Sequence, residues 1–305
     1  VDFHAQAPAA STPDMWEDLI EGEARDGFGF TLRGHVNDLG YRSICVPASL
    51  RAYAAAHERH GRLPWADLLT HAIRWARDGW VVRPHVHGWW SQPSEMGRVA
   101  NYERIAYSDA GRALYCRDDG SPKQVGDWVV NPDLAETLRT IASEGADSFY
   151  TGSIASVIAA DMKANDALLS AEDLAAYRAK IRKPVETDYR GYRVTTNQPP
   201  GGGVMLAEML NILENFDLAA MGHNSAEYLR VVCEAMKQAT IDKDAHVGDP
   251  DFVAVPVEML LSKSYAAEVA GRIRRGEKAD VPRFSADGPS KDTTQICVTD
   301  REGNC

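Results

Sequence analysis

The sequence predicts a helix-rich α+β chain. Three observations lead there: a succession of amphipathic segments bounded by helix start and stop signals, a β-rich stretch from Val185 to Thr196, and a return to strand composition from Thr293 to Asp300. The bulk composition agrees. With 305 residues, 44% apolar and 25% charged, the chain has the make-up of a globular enzyme built as one large domain or two small ones.

Taken in order, Val1-Asp2-Phe3 reads as the tail of a strand. Ser49 to His60 sets Leu50, Tyr53, Ala54 and His57 on one helical face and is closed by Gly61. Pro64-Trp65 opens a second helix carrying Leu68, Leu69, Ala72, Ile73 and Ala76, which Gly79 ends. Pro132 starts another, with Leu134, Leu138 and Ile141, stopped near Gly145. Ser170-Ala171-Glu172-Asp173 has the form of a capping box ahead of Leu174 and Tyr177. After the β-rich stretch, Pro199-Pro200-Gly201-Gly202-Gly203 breaks the chain before an apolar helix from Val204 to Leu213. A long helix comes next, through Glu234 to about Asp244. The segment from Gly271 to Lys291 is charged and holds few large apolar residues, so it reads as an exposed linker. From Thr293 to Asp300 the strand alternates, with Ile296 and Val298 on the face to be buried. The turn signal Arg301-Glu302-Gly303-Asn304 and the stop at Cys305 leave that strand without the partner it calls for, so both ends of the sequence read as cut.

The net charge of −11 and an isoelectric point near 5.3 argue against a nucleic-acid or anionic-membrane partner, since both reward positive surfaces. No apolar run reaches the roughly 18–20 residues that a membrane-spanning helix needs. Cys45, Cys116, Cys233, Cys297 and Cys305 form no CxxC pair and read as mostly buried small hydrophobes, a usage that leans toward a reducing compartment. His85 and His87 have no Cys or carboxylate cluster to complete a metal site and read as surface or packing residues. Glu234, Lys237, Asp242 and Lys243 fall at helical spacings that suit exposed ion pairs. Gly201 to Gly203 admit two readings, a tight structural loop or an anion cradle at a helix N-terminus.

Function is carried by motifs in a fixed order. They are Asp2-Phe3 with Ala7-Pro8-Ala9-Ala10, His60-Gly61-Arg62-Leu63-Pro64-Trp65, Phe149-Tyr150-Thr151-Gly152, Asp173-Leu174 with Tyr177, Tyr189-Arg190-Gly191-Tyr192, the Pro199-Pro200 loop, Gly248-Asp249-Pro250-Asp251-Phe252, and Asp292-Thr293-Thr294. Each alone is weak, but the collinear set resembles the γ-glutamyltransferase family over essentially the whole chain. The resemblance implies the four-layer αββα sandwich of the N-terminal-nucleophile hydrolases. It also implies a precursor that cuts itself at Asp292–Thr293, so that residues 1–292 are the large-subunit portion and 293–305 the start of a small subunit.

A freed Thr293 carries both a hydroxyl and an α-amine. The amine, with a typical pKa of about 7.7–8.0, suits the role of base for the otherwise weak hydroxyl nucleophile. Thr293 is therefore the expected catalytic residue, and Thr294 an adjacent substrate-side hydroxyl. Without the upstream motifs, the pair reads simply as two β-branched strand residues. The expected partners are a small-molecule amide or γ-glutamyl-like substrate, the small subunit from the same precursor and, as an open alternative, further copies of the chain. The chemistry calls for neither metal nor organic cofactor.

The sequence departs from the family pattern at His4, where the family carries the arginine of a Phe-Arg-Glu motif that pairs with the α-carboxylate of the glutamyl group. A guanidinium offers a permanently charged fork, whereas a histidine offers one or two donors and is largely neutral near pH 7. His4 is thus expected to line an acyl pocket that prefers other acyl groups, as in the related amidohydrolases and acylases. Gln295 also stands where the family often has histidine. Two other readings stay open: a true γ-glutamyltransferase in which another basic residue such as Arg33, near His35 and Asn37, replaces the arginine, and a noncatalytic or truncated member. The oxyanion-hole glycines implied by the resemblance would follow Cys305, so a chain ending there is expected to show little catalysis, each lost donor costing about 2.7–4 kcal/mol.

Overall fold

A computed structural model describes residues 1–23, 29–93 and 98–281. Asp292, Thr293, Thr294 and the strand expected from Thr293 to Asp300 lie outside the described residues. The helices that build the core and position the site are α1 (Ser49–His60), α2 (Trp65–Asp78), α3 (Pro132–Glu144), α4 (Ser153–Ala164), α5 (Ala171–Ala176), α6 (Gly203–Leu213), α7 (Ala226–His246) and α8 (Lys263–Arg274). Among the described residues, six short strands form three antiparallel pairs, β1 (Ile20–Glu23) with β2 (Phe30–Leu32), β3 (Trp80–Val81) with β4 (Trp128–Val129), and β5 (Val185–Tyr189) with β6 (Tyr192–Thr196). The helix-rich α+β expectation holds, and most boundaries fall where the start and stop signals put them.

Local chemistry explains those boundaries. Gly79 and Gly145 end α2 and α3 with positive φ and amides bonded back to Trp75 and Ile141. Asn131 caps α3, with Pro132 at its first position. Ser170 and Asp173 form the expected capping box, each side chain accepting from the other's backbone amide. The β5–β6 turn is Arg190-Gly191, at φ 49° and 85°, the left-handed pair that a two-residue hairpin demands.

Burial departs from the sequence expectation in several places, Leu68 and Leu134 being exposed among them. In α1 the buried residue is Ala52, while Tyr53 is 60% exposed, and the neighbouring Arg51 amide donates to the Tyr150 hydroxyl at 3.1 Å, which ties the start of the helix to the core. The segment expected as linker from Gly271 begins inside α8, whose Ile273 is buried against α6 and α7. Glu234 and Asp242, expected at the surface, are both buried. Glu234 binds Lys237 at 2.6 Å and accepts from the Ala279 amide at 2.8 Å, which fastens the chain beyond α8 onto α7.

Asp242 belongs to a buried polar cluster between α6, α7 and α8. Its Oδ2 accepts from Tyr265 at 2.7 Å and from Gln238 at 3.0 Å, and Glu208 on α6 is 1% exposed beside it. Burial, reinforced by the neighbouring Asp242, pushes the Glu208 carboxyl up to about 9. Near neutral pH it therefore holds a proton and can donate to Asp242, which removes the conflict of two buried carboxylates facing each other.

Of the cysteines in the described residues, Cys116 is buried but Cys45 and Cys233 are exposed, and all three are free thiols. This corrects the view of them as buried hydrophobes. No described helix is long and apolar enough to cross a membrane.

Candidate active site

The first residues of the chain are extended, and they are held there by residues far along the sequence. Asp2 and Lys180 exchange backbone hydrogen bonds at 2.7 and 2.8 Å, and the Val46 amide donates to the Gln6 carbonyl at 2.9 Å. The Asp173-Leu174-x-x-Tyr177 motif supplies the side-chain part of the clamp. Asp173 serves its own capping box through Oδ2 and accepts the Ala9 amide on Oδ1 at 2.9 Å, while the Tyr177 hydroxyl donates to the His4 carbonyl at 3.0 Å. Burial, with Tyr150 and Asp2 adding to it, pushes the Tyr177 phenol up to about 12, so it remains a donor. Tyr177 stacks on Tyr150 of the Phe149-Tyr150-Thr151-Gly152 motif at 6.2 Å, within a core that includes Val46, Leu169 and Leu174. Three of the motifs read from the sequence thus meet in one place.

His4 presents a half-exposed side chain there. Its Nδ1 lies 2.7 Å from Oδ1 of Asp2, and Oδ2 of Asp2 lies 3.3 Å from Nε of Arg182. Arg182 in turn donates to Asp251 at 2.9 Å, and Asp251 also takes the ammonium of Lys180. Asp251 stands in the Gly248-Asp249-Pro250-Asp251-Phe252 motif, so this charge network ties that loop to the His4 segment. Burial raises the Asp2 carboxyl, but hydrogen bonds from His4, with charge interactions from His4 and then Arg182, outweigh it and leave the group below the usual carboxylate range. Asp251 is held low chiefly by its bond to Lys180, with Arg182 assisting against burial.

A cavity of about 470 Å3 opens beside His4, bounded among others by Phe3, Arg182, Pro184, Asn197 and Gln198. Asn197 and Gln198 reach it from the end of β6, just before Pro199-Pro200. The glycines after them serve packing: a β-carbon on Gly203 would press into the carbonyl oxygen of Asn197. That favours the structural-loop reading of Gly201 to Gly203.

Of the residues predicted from sequence, His4 lies at this cavity, while Thr293 and Thr294 lie outside the described residues. Arg33 donates to the Asp18 carbonyl at 3.4 Å and is not among the residues lining the cavity. His85 and His87 sit on the short helix Pro84–Trp90. Among the described residues no group of three or more His, Cys, Asp or Glu could hold a metal ion. Sequence reasoning missed Arg182, Asn197 and Gln198, which carry no motif signal, and used Asp2 and Asp251 only as motif letters.

A family model described as Gamma-glutamyltranspeptidase matches residues 1–305. The chain belongs to the γ-glutamyltranspeptidase family. Among relatives of this family, the glutathione hydrolase proenzyme of Escherichia coli strain K12 is 33% identical over 309 residues, covering 100% of this chain and 50% of that protein. The acylase ACY 1 proenzyme of Pseudomonas sp. strain V22 is 34% identical over 307 residues, covering 100% of this chain and 52% of that protein. In solved structures, γ-glutamyltranspeptidase of Helicobacter pylori superposes with a TM-score of 0.79 at 32% identity, over 89% of this chain and 73% of that one. The chain spans about half the length of the curated relatives it matches.

Proposed function

We propose that the full-length protein is an amide hydrolase or acyltransferase that cuts its own chain between Asp292 and Thr293 and then uses Thr293 as its nucleophile. The observation that carries this reading is the match to the family over residues 1–305. Relatives named as proenzymes, a glutathione hydrolase and an acylase among them, support a precursor that is cleaved. In the proposed mechanism the Thr293 hydroxyl attacks the substrate's amide carbonyl while the Thr293 α-amine takes the hydroxyl proton. The tetrahedral intermediate collapses, and the leaving amine departs with that proton. Water or an acceptor amine then attacks the resulting ester and frees the threonine.

The substrate is a small-molecule amide whose acyl group reaches His4. Asp2 and Asp251 already engage the guanidinium of Arg182, so the described residues lining the cavity offer no free fork of the kind that grips a glutamyl α-carboxylate. This supports an acyl preference other than γ-glutamyl. The test is mass spectrometry and amidase assay of the protein carried to its natural C-terminus. A new N-terminus at Thr293 is expected, together with an uncut, inactive precursor for Thr293→Ala. Normal processing and turnover in that variant would remove Thr293 from the mechanism.

A further inference from the structure

The pairing of His4 with Asp2 has a chemical consequence for the cavity they share. An ionised carboxylate can only accept hydrogen bonds, so the ring nitrogen that faces it at 2.7 Å must carry a proton. In a neutral imidazole the other nitrogen then bears a lone pair. We propose that Asp2 is a positioning residue that holds His4 as its Nδ1–H tautomer, so that Nε2 acts as a hydrogen-bond acceptor in the acyl pocket. The pocket thereby selects acyl groups that carry an N–H or O–H where a γ-glutamyl group carries its α-carboxylate. The inference rests on the proposed function only in taking the His4 cavity as the acyl pocket.

Asp2 is well placed for this role because it has little freedom to turn away. Its backbone is bridged on both sides to Lys180, and its second oxygen faces Arg182, which Asp251 holds from behind. The side chain is 17% exposed, against 48% for His4. Nε2 of His4 makes no hydrogen bond within the described residues. A ligand carboxylate on Nε2 would set acceptor against acceptor, with the charge of Asp2 just behind the ring. A carboxamide or hydroxyl would donate to Nε2 without that conflict, and the carboxamides of Asn197 and Gln198 line the same cavity. The polarity of recognition is thus the reverse of an arginine's. Lys183, an exposed residue at the same cavity, is the group through which a carboxylate would otherwise be held.

The test uses the full-length protein labelled with 15N at histidine, with Asp2→Asn and Asp2→Ala for comparison and His4→Gln to assign the signal. The expected result is the Nδ1–H tautomer of His4 in wild type and in Asp2→Asn, whose amide oxygen can still accept, and a tautomer mixture in Asp2→Ala. The rescue by asparagine separates positioning from general loss of structure. Calorimetry then compares glutamate with its α-amide, isoglutamine. Wild type and Asp2→Asn should bind the amide about tenfold more tightly, a preference that Asp2→Ala reduces to about twofold or less. A doubly protonated ring or an Nε2–H tautomer in wild type, or a tautomer unmoved by Asp2→Ala, would overturn the proposal. Equal or tighter binding of glutamate, above all if lost in Lys183→Gln, or binding of neither ligand, would overturn the selection. Neither measurement needs turnover. A protein that meets both but fails to cleave amides therefore contradicts the proposed activity and leaves this inference standing.

Discussion

The hydroxyl of Tyr177 donates to the backbone carbonyl of His4 at 3.0 Å, joining residues 173 positions apart in sequence. The contact makes the Asp-Leu-x-x-Tyr motif part of the candidate site although its own side chains do not face the cavity. Tyr177→Phe keeps the stacked ring and removes only this bond, at an expected cost of about 1 kcal/mol in stability. In the full-length enzyme KM for acyl donors should rise several-fold with kcat little changed. A kcat loss at constant KM would show that Tyr177 acts on the chemistry rather than on the seating of His4.

His4→Arg should restore a charge-assisted grip on an α-carboxylate. Activity of the full-length enzyme on γ-glutamyl anilides is expected to rise by about tenfold or more, with activity on simple acyl anilides unchanged or lower. If wild type already prefers γ-glutamyl donors and the substitution changes nothing, His4 does not set specificity.

The Glu208–Asp242 pair predicts an unusual pH dependence. The folded-state carboxyl of Glu208 sits at about 9, against an ordinary value of 4.5, so the native state holds a proton that the unfolded state gives up. Its contribution to stability is complete below 4.5, declines as pH rises and is gone above about 9. Glu208→Gln keeps the shape and a donor toward Asp242 without a titrating proton. Unfolding free energies from urea titrations at about pH 6 to pH 9 should fall more steeply for wild type than for the variant, by on the order of a few kcal/mol. Parallel curves would mean that Glu208 is ionised in the native state.

The glycine loop offers a paired test. Gly203→Ala drives a methyl into the Asn197 carbonyl and the Thr196 hydroxyl, and should destabilise the protein by about 1–3 kcal/mol. At Gly202 the added methyl meets nothing within 4 Å and φ is −71°, so Gly202→Ala should stay within about 0.5 kcal/mol of wild type. Equal effects would reject close backbone packing as the reason for the glycines.

What the sequence made legible was local chemistry. The Ser170–Asp173 box and the glycine stops each arise from interactions within a few residues, and each lies where those interactions require, whereas the Arg190-Gly191 turn divides what read as one β-rich stretch. His4 stood out because Asp2-Phe3 and Ala7-Pro8 frame it, and it lies at the cavity. The second duty of Asp173, accepting the Ala9 amide, was not, because one carboxylate oxygen satisfies the box and nothing nearby shows where the other goes. Helical spacing reports which residues share a face of one helix but not what that face meets. For that reason Asp242 read as a solvated charge, although Glu208 and Tyr265 reach it from α6 and α8. Arg182 was invisible for a related reason: its partners Asp2 and Asp251 are brought to it only by tertiary structure.

The clamp on residues 2–9 also orders events during synthesis. These residues leave the ribosome well before Asp173, Tyr177 and Lys180 exist to receive them. At roughly 5–20 residues per second, the separation of 173 positions between His4 and Tyr177 corresponds to a wait on the order of ten to thirty-five seconds. Throughout that interval the Phe3-His4 segment has no place to dock, and a ribosome stalled before Asp173 carries a chain whose candidate site cannot assemble. The residues at the cavity are thus made long before the partners that seat them.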